Sequence, residues 1–209
     1  MKMTKKEAKL ITGGLSNTSK MGCKSYGLPA RECITGSKLR LIAGSVCSKC
    51  YAHNGMYNFP VVQAAQYRRL ESIQSDLWVL AMVAAIGSDL YFRWHDSGDI
   101  QSASHLSKIA EVCRLTPNCK HWIPTKEKGI VLRWLKVNEC PENLIIRLSA
   151  PMVNQAVKSV VVELFSSSVH NSPLMSVGHT CPAPKQDGEC RDCRSCWNKT
   201  IRNVSYAIH

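Results

Sequence analysis

The stretch LYFRWHDSGDIQSASHLSKIAEVCRLTPNCKHWIPT, residues 90–125, decides the fold. Its first six residues, 90–95, are short, aromatic-rich and strand-like, and DSGD (96–99) breaks them. Behind Ser102 or Ser104 as N-cap, Leu106, Ile109, Ala110 and Cys113 recur at helical spacing up to residue 115. KHWIPT (120–125) returns to strand. Downstream, GIVLRWLKV (129–137) reads as helix, and NLIIRLSA (143–150) as a β-branched strand that stops before Pro151. NQAVKSVVVELF (154–165) is helix by length and strand by its valine run, and LMSVGH (174–179) is a last strand. Upstream, residues 59–87 extend the pattern as one or two helices. Strand–helix units recurring every ~25–30 residues argue for a parallel sheet with right-handed crossovers. The expected fold is therefore α/β: repeated strand–helix units forming an open or partial barrel in a single domain over 1–209. Cys-rich loops near 33–50 and 181–196 are expected to hold a metal cluster.

At 209 residues, 44% hydrophobic and 20% charged, the chain is an ordinary globular mix with enough length for a real core. No apolar run reaches the ~20 residues a bilayer span needs, so no membrane partner is expected. The basic start MKMTKKEAKL lacks the apolar segment of a signal peptide, which places the protein in the cytoplasm. The formal charge of +12 favours polyanionic partners, nucleic acid or nucleotide, over a merely basic surface. There is no Gly-x-Gly-x-x-Gly and no Walker loop.

Eleven cysteines are many for a reducing compartment, where clustered thiols mean metal or redox chemistry. Cys23, Cys113, Cys119 and Cys140 stand alone and read as small buried apolar residues. Cys181, Cys190, Cys193 and Cys196 offer four thiolates within sixteen residues. A Cys-x2-Cys-x2-Cys run suits an iron–sulfur cubane better than a zinc site, which usually takes two separated Cys-x2-Cys pairs. A [4Fe–4S] cluster is the first expectation and zinc the alternative. Cys33, Cys47 and Cys50 form a second group that supplies either a remote fourth ligand or a site of its own, and spacing leaves both open.

In parallel α/β folds, functional side chains gather at the C-terminal strand ends. Those ends offer Arg93, His95, Asp96 and Asp99, then Thr125 and Lys126, then Arg147 and Ser149, and last His179. The bland readings stand beside this. Asp96 or Asp99 could simply cap the next helix, and Lys126 could belong to a solvated turn with Glu127 and Lys128. Histidines 53, 105, 121 and 170 and tryptophans 78, 122 and 134 read as ordinary polar or core residues. Arg147 inside an apolar strand is different: it needs a partner or a ligand.

The order of SNTSKMG (16–22), CSKCYA (47–52), RWHDSGDI (93–100), IPTKEK (123–128), RLSA (147–150) and CPAPKQDGECRDCRSCW (181–197) resembles a family of largely uncharacterised bacteriophage gene products. The resemblance implies a phage protein working in the bacterial host cytoplasm. It also implies a core distantly like the partial barrels of radical S-adenosylmethionine enzymes, and an iron–sulfur cluster over zinc. Cys33 lies fourteen residues before Cys47, a gap that departs from the family pattern, so the resemblance does not carry Cys33 over.

Together these readings favour an iron–sulfur protein that binds polynucleotide or nucleoside phosphates, with phosphate-bond hydrolysis (a phosphohydrolase or nuclease) as its reaction. Arg93, Arg147, Asn17 and Lys20 would bind substrate, while His95, Asp99 and Lys126 would act on water and charge. One alternative is a non-enzymatic, metal-stabilised module that binds nucleic acid or a host protein. Another is a radical S-adenosylmethionine-like enzyme. It ranks lower because such enzymes use a Cys-x3-Cys-x2-Cys loop with one open iron, and four protein thiolates would fill the cluster.

Overall fold

A computed structural model describes residues 3–157 and 164–208. The strands are β1 (Ser16–Thr18), β2 (Cys23–Tyr26), β3 (Tyr91–Trp94), β4 (Lys120–Thr125), β5 (Leu144–Ser149), β6 (Phe165–His170), β7 (His179–Thr180) and β8 (Asn203–Ala207). They form one eight-stranded sheet in the order β1-β2-β3-β4-β5-β6-β8-β7. β1 and β2 pair antiparallel, and every other neighbour pair is parallel. The sheet is open, not closed into a barrel.

The helices are α1 (Lys5–Thr12), α2 (Ile34–Leu39), α3 (Pro60–Ser72), α4 (Trp78–Ile86), α5 (Ala103–Leu115) and α6 (Lys128–Leu135). Ser102 caps α5, its Oγ accepting from His105 N at 3.0 Å. Alternation along the strands then separates two faces. Phe92, Trp94, Ile123, Leu144, Ile146 and Leu148 enter the main core with Trp78, Met82 and Ile86 of α4 and Leu106 and Ile109 of α5. The intervening residues Tyr91 and Trp122 pack instead with Met21, Cys190, Cys196, Trp197 and Tyr206. Helices thus cover one face, and the C-terminal Cys-rich segment lies on the other.

The expected elements over 90–150 stand as strand, helix, strand, helix, strand, and residues 59–87 form two helices. Half of the element expected over 154–165, residues 158–163, lies outside the described residues; 154–157 form no helix or strand, and Phe165 opens β6. The strand expected over 174–179 is corrected: Pro173–Met175 is a 3-10 turn, and only His179 and Thr180 pair. Pro173 and the left-handed Gly178 (φ 68°) interrupt extended backbone there. No helix among the described residues is long and apolar enough to cross a membrane.

Candidate functional site

β2, β3 and β4 end side by side, and their exit loops interlock. His95 N donates to Tyr26 O at 3.0 Å and Leu28 N to Ser97 O at 2.9 Å. Gly27 leaves room for Asp96, whose Oδ1 would lie 2.5 Å from any Cβ placed there. Asp96 in turn accepts from Ser25 Oγ (2.8 Å) and Tyr57 OH (3.2 Å), and its carbonyl accepts from Tyr51 OH. Those two tyrosines follow Cys50, so Asp96 ties the cysteine loop down onto β3. A second tie comes from Glu127, whose carboxylate accepts from Thr35 N and Oγ1, both at 2.7 Å, at the start of α2.

Held this way, Cys33, Cys47 and Cys50 converge. A Cβ on Gly36 would sit 3.6 Å from Cys33 Sγ and 3.7 Å from Cys47 Sγ. Burial pushes the Cys33 thiol up, and Asp99, Cys50 and Cys47 add to that. Lys126 stands among them: burial lowers its pKa, while Cys47, Asp99, Cys50 and Cys33 hold it up. Its Nζ donates to Ala150 O at 2.7 Å. Asp99 accepts from Ile100 N (2.7 Å), Thr125 Oγ1 (2.5 Å) and Lys126 N (2.8 Å). Burial pushes it up to about 6 against those bonds.

The other four candidate cysteines gather on the sheet face away from the helices. Cys190 N donates to Lys20 O (2.7 Å), Cys193 N to Cys190 O (2.8 Å) and Cys181 N to Ser205 O (2.8 Å). Cys196 Sγ lies 3.1 Å from Tyr206 Oη. Burial raises the Cys190 thiol, with Cys181 and Cys193 adding. Burial likewise pushes Cys196 up to about 11. Cys23 joins this group, its thiol raised to about 11 by burial with Cys190 contributing. A lone cysteine in a short strand gave no sequence signal for that. Among the described residues, no three His, Cys, Asp or Glu side chains stand as a ready-made site for a single metal ion.

The expected substrate and catalytic residues are dispersed. Asn17 is exposed on edge strand β1, and Lys20 lies beside Cys190, so neither belongs to the Lys126–Asp99 group. Arg93 lies 4.9 Å over the Trp122 ring and donates to Tyr51 OH at 3.3 Å, bridging the two cysteine groups. Arg147, fully buried, is committed elsewhere. Its Nε donates to Cys196 O (3.0 Å), Nη1 to Ile201 O (2.9 Å), and Nη2 to Ser195 O and Asn198 O (both 3.0 Å). Nη1 also reaches Ser166 O and Arg202 O at 3.4 Å, which leaves no N–H for a phosphate. The expected phosphate-binding arginine is a clip that fastens the C-terminal segment to β5. His95, at φ 57°, turns its ring to 5.4 Å from that of His105 in α5, and both of its nitrogens are buried without a partner.

These buried imidazoles predict a pH dependence. Burial holds His95 down at about 3 and His121 at about 4, and His105 well below 6.5. The unfolded chain binds these protons near 6.5 and the folded chain does not, so the stability they contribute is lost as pH falls below ~6.5. Asp99, raised from 3.8 to about 6, works the other way, but it is one carboxyl against three imidazoles. Denaturant melts should lose about 4 kcal/mol between pH 6.5 and pH 5. A flat profile would contradict the buried neutral histidines.

Compared with protein-family models, residues 1–199 match the one described as "Gene product 88". This agrees with the likeness to bacteriophage gene products read from the motifs. No curated protein and no solved structure matches the chain.

Proposed function

The chain belongs to the Gene product 88 family, and from that premise we propose an iron–sulfur enzyme of the radical S-adenosylmethionine kind. One observation carries the reading: three cysteines, not four, meet where the parallel strands end. The seven candidate thiols divide into a group of three and a group of four, so a cluster held at the strand ends would keep one iron open. That removes the objection that four protein thiolates would fill the cluster.

Cys33, Cys47 and Cys50 would hold a [4Fe–4S] cluster, whose three thiolates spread over a wider ring than the about 3.8 Å between sulfurs on a single zinc. When bound, such a cluster supplies one electron to a sulfonium ligand at its fourth iron. The chain's own part is to hold and insulate. Tyr51 and Tyr57 fix the loop through Asp96, Thr35 fixes it through Glu127, and Lys126 offsets thiolate charge. Phosphate-bond hydrolysis is the weaker reading, because Arg147 has no donor left and Asp99 already accepts three hydrogen bonds. Cys181, Cys190, Cys193 and Cys196 would form a separate closed centre, a second cluster, that stabilises the C-terminal segment. Cys33, Cys47, Cys50, Cys181, Cys190, Cys193 and Cys196 are all free thiols, which suits the reducing cytoplasm of a bacterial host.

Anaerobically reconstituted protein should be brown, with iron and sulfide in equal amounts. Reduced with dithionite, it should give an electron paramagnetic resonance signal that changes when S-adenosylmethionine is added. Cys47→Ala should lose that change. A colourless zinc protein, or a cluster signal indifferent to S-adenosylmethionine, would sink the radical assignment.

A further inference from the structure

The opposite edge of the sheet, where the strands begin, carries an open groove of about 850 Å³. Its walls come from the first residues of β3, β4 and β5, the loops leading into them, and the segment after Cys193. Lys120, Arg194, Arg114 and Lys199 line it against one carboxylate, Glu142. Tyr91 stands among them, with the Arg194 guanidinium 5.2 Å and the Lys120 ammonium 6.0 Å from its ring centroid. Arg114 shares part of its charge with Glu111 at 3.3 Å, and elsewhere on the surface Lys24–Asp89 and Arg191–Asp187 are paired. The groove therefore concentrates positive charge on a chain whose formal charge is +12.

We infer that this groove binds the phosphodiester backbone of a single-stranded nucleic acid. Charge complementarity selects a polyanion. The volume suits a short run of nucleotides, and cations spaced along a groove are what tracks the backbone of a single strand without regard to sequence. This relocates the nucleic-acid contact expected at Arg93, Lys126 and Arg147 to the other end of the strands. It does not depend on the three-cysteine cluster at the other end of the strands, but it shares with the four-cysteine centre the segment that supplies Arg194 and Lys199. The segment after Cys193 supplies Arg194 and Lys199, so the groove requires that segment in place.

The test is fluorescence anisotropy with labelled twelve-nucleotide RNA and DNA single strands, using the full-length protein at two salt concentrations. Lys120→Glu/Lys199→Glu alters two exposed groove residues, and Lys5→Glu/Lys6→Glu makes the same charge change on α1. The groove variant should bind about thirtyfold more weakly, with the salt slope reduced by about two, while the α1 variant changes less than about threefold. Matching melting curves would confirm that both variants are folded. Equal weakening by the two variants would reduce the effect to net charge and overturn the site. So would wild-type protein that binds neither strand, or that releases them to poly-glutamate as readily as to unlabelled oligonucleotide. Iron content is read separately, so failure here leaves the cluster proposal intact, and the reverse holds too.

Discussion

Arg147→Met is expected to lower stability by about 4 kcal/mol, because it strips a saturated guanidinium from six carbonyls. For a chain of this length that is a fall of about 10 °C in Tm. The six acceptors span residues 166 to 202, and five of them, at Ser195, Cys196, Asn198, Ile201 and Arg202, lie in the irregular segment that covers the sheet. Nothing in that segment is a long helix or strand, so its order rests on contacts such as these and on Trp197, which donates to Phe92 O at 3.0 Å. The variant should therefore loosen residues 181–202 before the rest of the fold. Trypsin cleavage after Arg191 and Arg194, both in that segment, should accelerate well before global unfolding. Arg147→Lys keeps the charge but cannot span the fork of carbonyls, and should recover only part of the loss. If Arg147 served a phosphate ligand instead, Arg147→Met would melt like the wild type and lose only anion binding. Wild-type-like melting with unchanged proteolysis would refute the clip.

The same residue marks where the sequence stops being legible. An arginine in LIIRLS plainly needed a partner, and a ligand was the natural candidate. Five of its six partners are backbone carbonyls some fifty residues away, which no side-chain pattern records. β3, β4, β5 and α5 were readable because each combines the right period with a clear break, such as DSGD or Pro151. β1 and β2, SNT and CKSY, are too short and polar for a period to show, and their positions come from pairing alone. β8 was missed for a similar reason, and its place between β6 and β7 is set by the chain's return across the sheet. The cysteine motifs were legible as ligand-like spacings, but their division was not. It follows from the chain's path: the loop after β2 lies where β2 and β3 end, whereas the segment before β8 crosses the sheet face away from the helices, where it meets Lys20 and Phe92.

Gly98→Ala is the sharper test of how the strand ends hold the cysteine loop. Gly98 sits at φ 76°, and an added Cβ would fall 2.6 Å from Leu28 Cβ and 2.8 Å from Leu28 O. Leu28 cannot give way. It is fully buried, its N donates to Ser97 O, and its carbonyl accepts from Ser97 Oγ at 2.7 Å. Ser97 is braced in turn by Gln66 Nε2 at 2.8 Å. Overpacking against fixed backbone and a left-handed alanine together should cost about 4 kcal/mol. The clash separates the exit loops of β2 and β3, five residues before Cys33 and one before Asp99, so the three-cysteine group should lose its register as well. Gly188→Ala provides the comparison. Its φ is 80°, yet nothing lies within 4 Å of an added Cβ, so only the conformational cost of about 1 kcal/mol applies. Thermal melts of the two variants should therefore differ by several degrees, with Gly98→Ala the lower. Equal melts would mean that the β2 and β3 exits are not locked together, and the convergence of Cys33, Cys47 and Cys50 would lose its mechanical basis.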